Sequence, residues 1–119
     1  MRPIRFRAWD THEEVMNRVD YIDFIDGVIG MSNENIKDYE QPIHRVKLLQ
    51  STNLTDKNGV EIYEGDIVEA PYSKTKYLVD YVNGCFVGRI KYREYKTLYK
   101  SLKVIGNIYE NPELLSQVR

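Results

Sequence analysis

The chain has 119 residues, 42% of them apolar, and a net charge of −1. That length suits one domain, or one domain with a small subdomain, and the apolar share can build a core without disulfides or a structural metal. Cys85 is the only cysteine, so an internal disulfide is excluded, and no apolar run approaches a signal peptide or a membrane span. A reducing, cytoplasmic location is therefore expected, with Cys85 as a small core residue.

Aromatic and β-branched residues arrive in short bursts separated by turn signals, which predicts a β-dominated chain. Ile4 to Trp9 alternates apolar with basic residues and reads as a half-buried strand, with Ile4, Phe6 and Ala8 on one side. Asp10 to Glu14 is a polar reversal. Val19 to Ile25 alternates again, and Asp26-Gly27 turns the chain, since glycine reaches positive φ at no steric cost. Val28 to Met31 is the returning strand. Ser32 to Gln41 is polar and reads as a loop, closed by Pro42. Ile43 to Gln50 is a strand that carries Val46, Leu48 and Leu49 inward.

Asp56-Lys57-Asn58-Gly59 is a tight turn in which Asn58-Gly59 suits type I′ geometry. Glu64-Gly65-Asp66 is a second turn, opening a strand at Ile67-Val68. Tyr77 to Val82 alternates, Asn83-Gly84 is another type I′ pair, and Cys85 to Lys91 is the partner strand. Tyr92 to Ser101 is basic and aromatic, with its secondary structure open. Lys103 to Tyr109 is a strand. Asn111-Pro112-Glu113 then starts a short helix, with asparagine as cap, proline at the first position and an acid in the first turn.

Three blocks in this order resemble the YopX family. They are Phe6-Arg7-Ala8-Trp9-Asp10, then Thr55 to Gly59 with Glu61 to Val68, and finally Val104-Ile105-Gly106-Asn107-Ile108-Tyr109-Glu110-Asn111-Pro112-Glu113-Leu114-Leu115. The resemblance implies a phage or prophage origin and a C-terminal part folded as a small SH3-like barrel; it implies no activity, because the family is uncharacterised. The family usually has an aromatic and then glycine ahead of the middle block, where this chain has Ser51 and Asn53. Asparagine enters the left-handed region with little penalty, so the turn is expected to survive. The expected organisation is mainly β: an N-terminal antiparallel β subdomain over 1–50, and the SH3-like barrel with a short C-terminal helix over 51–119.

Charge is unevenly spread. Asp10 to Glu40 holds nine acids and two bases, whereas Ser73 to Lys103 holds eight bases and two acids. Opposite halves of this kind steer copies of a chain toward one another, or toward separate partners.

Candidate chemistry is sparse. His12 and His44 lack clustered cysteines and histidines at zinc-site spacing, and no nucleophile elbow or phosphate-cradling glycine loop occurs. Asp56, Glu61, Glu64 and Asp66 sit beside turn glycines. They suit either a divalent cation or the capping of backbone N–H groups, and capping is the commoner use. The most suggestive surface is basic and tyrosine-rich. It comprises Lys76, Tyr77, Arg89 and Lys91, then Tyr92, Arg93, Tyr95 and Lys96. Cations can neutralise phosphates and tyrosines can stack bases, but tyrosine is also a favoured strand residue and lysine a common guard of sheet edges. The expectation is a non-catalytic module without metal or cofactor. It would self-associate or bind a phage or host protein, with nucleic-acid binding as the alternative and no membrane partner.

Overall fold

The computed structural model describes residues 3–91 and 94–118. Among these the chain is mainly β, arranged in two antiparallel sheets, and its only helical segments are two short 3₁₀ turns. No helix among the described residues is long and apolar enough to cross a membrane. The chain divides into two compact units, Arg5–Gln50 and a second that takes in the chain from Ser51.

The first unit is built from β1 (Phe6–Asp10), β2 (Val15–Asp23), β3 (Val28–Ser32), β4 (Tyr39–Pro42) and the first half of β5 (Val46–Thr55). They lie in the order β4-β3-β2-β1-β5, each antiparallel to its neighbours. Alternation places Ala8, Ile29, Met31 and Val46 on one face as a buried core, with Val19, Ile22, Tyr39 and Leu48 packed against it. Ile4 falls outside β1 and is 69% exposed, not on the buried side.

The boundaries shift for local reasons. β2 starts at Val15, ahead of the expected Val19, because the Asp10 carboxylate closes the preceding reversal by accepting the N–H groups of His12 and Glu13. The polar run before Pro42 is not all loop: Tyr39 pairs with Met31 and Pro42 with Val28. Proline is tolerated there because β4 is an edge strand. Ile43–Arg45 form a 3₁₀ turn, so β5 begins only at Val46.

In the second unit the later half of β5 pairs with β6 (Glu61–Tyr63). Five further strands follow: β7 (Asp66–Glu69), β8 (Lys76–Val82), β9 (Cys85–Lys91), β10 (Glu94–Thr97) and β11 (Lys103–Asn107). Their order is β10-β9-β8-β7-β11. The outer strands β10 and β11 do not pair, so among the described residues the expected barrel is not closed. The core holds Ile62, Val68, Ala70, Val79, Leu98 and Leu102, with Tyr77, Phe86 and Val104 against it.

Turn chemistry sorts the glycines. Asn83 and Gly84 have φ of 50° and 81°, which a two-residue I′ hairpin requires. At the other Asn-Gly pair only Gly59 is left-handed, at 81°. There the Gly59 N–H donates to the Asp56 carbonyl and the Asp56 N–H to the Val60 carbonyl, so the turn is a longer loop with one left-handed residue and not type I′. Asn53 does adopt the left-handed conformation that the sequence anticipates there, at φ 63°.

The C-terminal segment Pro112–Gln117 is 3₁₀, which corrects the expected helix cap at Asn111. The Asn111 side chain accepts the N–H of Asn107 instead of capping the turn it precedes. A Cβ at Gly106 would lie 2.5 Å from Asn111 Oδ1 and 2.7 Å from Leu114 Cδ1, so the segment packs on bare backbone of β11.

Candidate interaction surface

Several acidic and amide residues of the motif blocks are occupied by the fold. Asp10 is buried, and one carboxylate oxygen takes the N–H groups of His12 and Glu13 at 2.9 and 3.0 Å. The other takes the Tyr39 hydroxyl at 3.0 Å and the Gln41 amide at 3.1 Å. Burial pushes this carboxyl up, but the four hydrogen bonds outweigh it and hold it below the ordinary range. Burial and the Asp10 carboxylate push Tyr39 up to about 12.

Asp56 repeats the pattern. It is buried and accepts the N–H groups of Asn58, Val60 and Val104 at 2.8, 2.9 and 2.9 Å. Those bonds lower its pKa against the upward push of burial. Asp66 takes the Tyr63 N–H at 2.8 Å, and Glu61 accepts the Ser51 hydroxyl. Asn107 closes the turn after β11 by accepting the N–H groups of Tyr109 and Glu110. Among the described residues no three of His, Cys, Asp and Glu gather as metal ligands, and His12 and His44 are both exposed.

The described members of the basic tyrosine-rich set fall on both faces of the sheet. Register puts Arg89 opposite Leu78 and Tyr95, and Lys76 opposite Glu69. Lys76, Arg89 and Tyr95 therefore share one face of the sheet. Tyr77 and Lys96 belong to the other, where Tyr77 packs on the core and Lys96 is exposed. Two of the cations are already paired: Lys76 lies 3.2 Å from Glu69 and Arg89 lies 3.6 Å from Asp80. Tyr92 and Arg93 lie outside the described residues, as does the side chain of Lys91. Cys85 is exposed, contrary to its expected place in the core, because it opens β9 directly after the Asn83-Gly84 turn.

A feature the sequence reading passed over stands at the β2–β3 hairpin. Asp23 folds the tip by accepting the N–H groups of Ile25 and Asp26. This turns Phe24 and Ile25 outward, 80% and 96% exposed, between two aspartates. The signal was present as two apolar residues inside a turn; what hid it was their apparent continuity with the alternating strand.

A family model described as YopX protein matches residues 5–116. The chain belongs to the YopX family. The crystal structure of protein EF1440 from Enterococcus faecalis is similar at 31% identity and a TM-score of 0.72, over 97% of this chain and 99% of that one. The crystal structure of yopX from Bacillus subtilis is similar in fold, at 22% identity and a TM-score of 0.59 over 100% of both chains. No curated protein matches. In this YopX-family chain the three blocks fall on β1, on the Asp56 turn through β7, and on β11 with its 3₁₀ turn. Asp10, Asp56, Asp66, Asn107 and Asn111 of those blocks each accept at least one backbone N–H group and so hold backbone together.

Proposed function

We propose that this protein is a non-catalytic interaction module that associates with further copies of itself, the β2–β3 tip of one copy docking on the basic 73–103 stretch of another. The exposed Phe24-Ile25 pair carries the reading. Each large apolar side chain left in water forgoes roughly 1.5–3 kcal/mol available on burial. The aspartates beside it match a cationic acceptor, and opposite potentials raise association rates and fix orientation. A contact joining different surfaces of two copies closes into a ring or extends as a filament.

The same reading takes the second unit as SH3-like, supported by a meander from β7 to β10 and a last strand that returns to β7. It places the chain in a reducing cytoplasm, which suits an exposed free thiol, and in a phage or prophage setting, as the resemblance implies. Light scattering at rising ionic strength tests it. Oligomers that dissociate with salt, and that Phe24→Ser with Ile25→Ser abolishes, are expected; a monomer under every condition overturns self-association.

The exposed strand β10, with Tyr95 and Lys96, favours a second reading as a nucleic-acid-binding module. Fluorescence titration with single- and double-stranded oligonucleotides checks it. Absence of salt-dependent binding below about 100 µM retires it, because phosphate contacts respond to salt.

A further inference from the structure

Three loops of the second unit enclose a surface groove of about 590 Å³, a volume within the range of small-molecule sites. One wall is the Asp56 turn, with Thr55, Lys57 and Gly59. Another is the Lys100-Ser101 turn, and Pro71-Tyr72 of the β7–β8 loop supplies the third. The two lysine-bearing turns are fixed to each other. The Lys57 N–H donates to the Leu102 carbonyl at 2.9 Å, and the Val104 N–H to Asp56 Oδ2 at 2.9 Å. The third loop is closed by the Ala70 N–H on the Thr75 carbonyl at 2.9 Å. These bonds hold the loop backbones in place, so a ligand has only the exposed side chains left to order.

Its chemistry is specific. Lys57 and Lys100 are exposed and neither has an ion pair among the described residues. Asp56, the one carboxylate in the lining, stays charged, attracts Lys57 and has its oxygens on three backbone N–H groups; two lysines against one carboxylate leave the groove cationic by one charge. Tyr72 is 97% exposed, a ring the folded chain does not use for its own packing. Thr55 and Ser101 add hydroxyl donors.

We propose that this groove binds a small anionic ligand carrying a planar ring, of which a nucleoside monophosphate is the simplest member. The ring stacks on Tyr72, and the two ammonium groups and the hydroxyls take the phosphate. The Phe24-Ile25 tip on which self-association rests lies outside this groove, and Tyr72 lies outside the basic 73–103 stretch, so Phe24→Ser with Ile25→Ser and Tyr72→Ala let either idea fail alone.

The test is an amide NMR titration of the full chain with adenosine monophosphate, with adenosine and with inorganic phosphate. The monophosphate is expected to move the amides of Lys57, Tyr72, Lys100 and Ser101, and to bind more tightly than either fragment. Lys57→Gln with Lys100→Gln, both at exposed positions, weakens it about ten-fold or more. Tyr72→Ala weakens the monophosphate about ten-fold and leaves phosphate unchanged. No shift at about 10 mM monophosphate overturns the site, a bound state there being worth less than the weakest useful affinity. Shifts confined to other amides overturn it too, as does phosphate binding equally well with no effect of Tyr72→Ala. Tighter binding of a single-stranded oligonucleotide at the same amides replaces the small ligand by a polymer and overturns the assignment.

Discussion

The Tyr39 hydroxyl on β4 donates to the Asp10 carboxylate on β1 at 3.0 Å, although β3 and β2 lie between those strands in the sheet order. In a flat sheet, three steps of about 4.8 Å would separate the two strands by about 14 Å, beyond the reach of these side chains. The sheet of the first unit must therefore curl around Ala8, Ile29 and Met31, with the polar pair and Gln41 bridging its open side.

This pair sets a pH profile at both ends. Asp10 has a folded pKa below its unfolded value of 3.8, so its contribution is complete above that pH and is lost as pH falls through the lower value. Tyr39 has a folded pKa of about 12 against 10.0, so its contribution is complete below pH 10 and is lost as pH rises through about 12. Urea midpoints measured across pH should fall at both extremes. Tyr39→Phe should cost about 1–2 kcal/mol at neutral pH and shrink the alkaline limb.

Asp56→Ala leaves three backbone N–H groups without their acceptor and should cost about 2–4 kcal/mol by chemical denaturation. Asp56→Asn should lose less, since its remaining oxygen can serve the Asn58 and Val60 donors while its NH₂ opposes Val104. Because the Asp56 pKa is lowered, either variant should also flatten the acid limb.

A Cβ at Gly30 would fall inside the Tyr21 ring, which lies over this glycine and donates its hydroxyl to Glu40 on the next strand. Gly30→Ala should destabilise by about 1–3 kcal/mol, by displacing the ring. In a Tyr21→Ala background the same change should cost less than half as much. Equal costs in both backgrounds would show that the ring is not what the glycine accommodates.

Asn53 is left-handed, and its buried side-chain carbonyl oxygen has no hydrogen-bond partner. Asn53→Gly removes both the orphaned acceptor and the Cβ, and should raise stability by up to about 1 kcal/mol. Asn53→Val should lower it by about 1–2 kcal/mol, since a β-branched residue resists positive φ. Thermal melts of the pair decide.

Several elements could be read from the sequence because their causes are local. Asn83-Gly84 needs only two residues tolerant of positive φ, and Tyr77 to Val82 shows a strand by alternation, although its buried pair, Leu78 and Val79, lies on opposite faces. The edge strand β4 could not be read, because Glu40 and Gln41 carry no apolar periodicity and pair only because β3 offers a free edge. The faces taken by the described surface residues were not legible. Opposed pairs such as Leu78 with Arg89 decide which face each side chain takes, and a linear stretch does not display that pairing.

The β character, the hairpin at Asn83-Gly84 and the left-handed backbone at Asn53 were legible in the sequence because they depend on residues close together along the chain, and the family because its three blocks keep their order. Only the tertiary structure decided that Asp10 is answered by Tyr39 from 29 positions away, and Asp56 by Val104 from 48. The same packing left Phe24 and Ile25 in water and set Lys57 and Lys100 in the lining of one groove. The physical reason is that partners for a buried charge, like the walls of a groove, are chosen by strand order and register, which long-range pairing fixes.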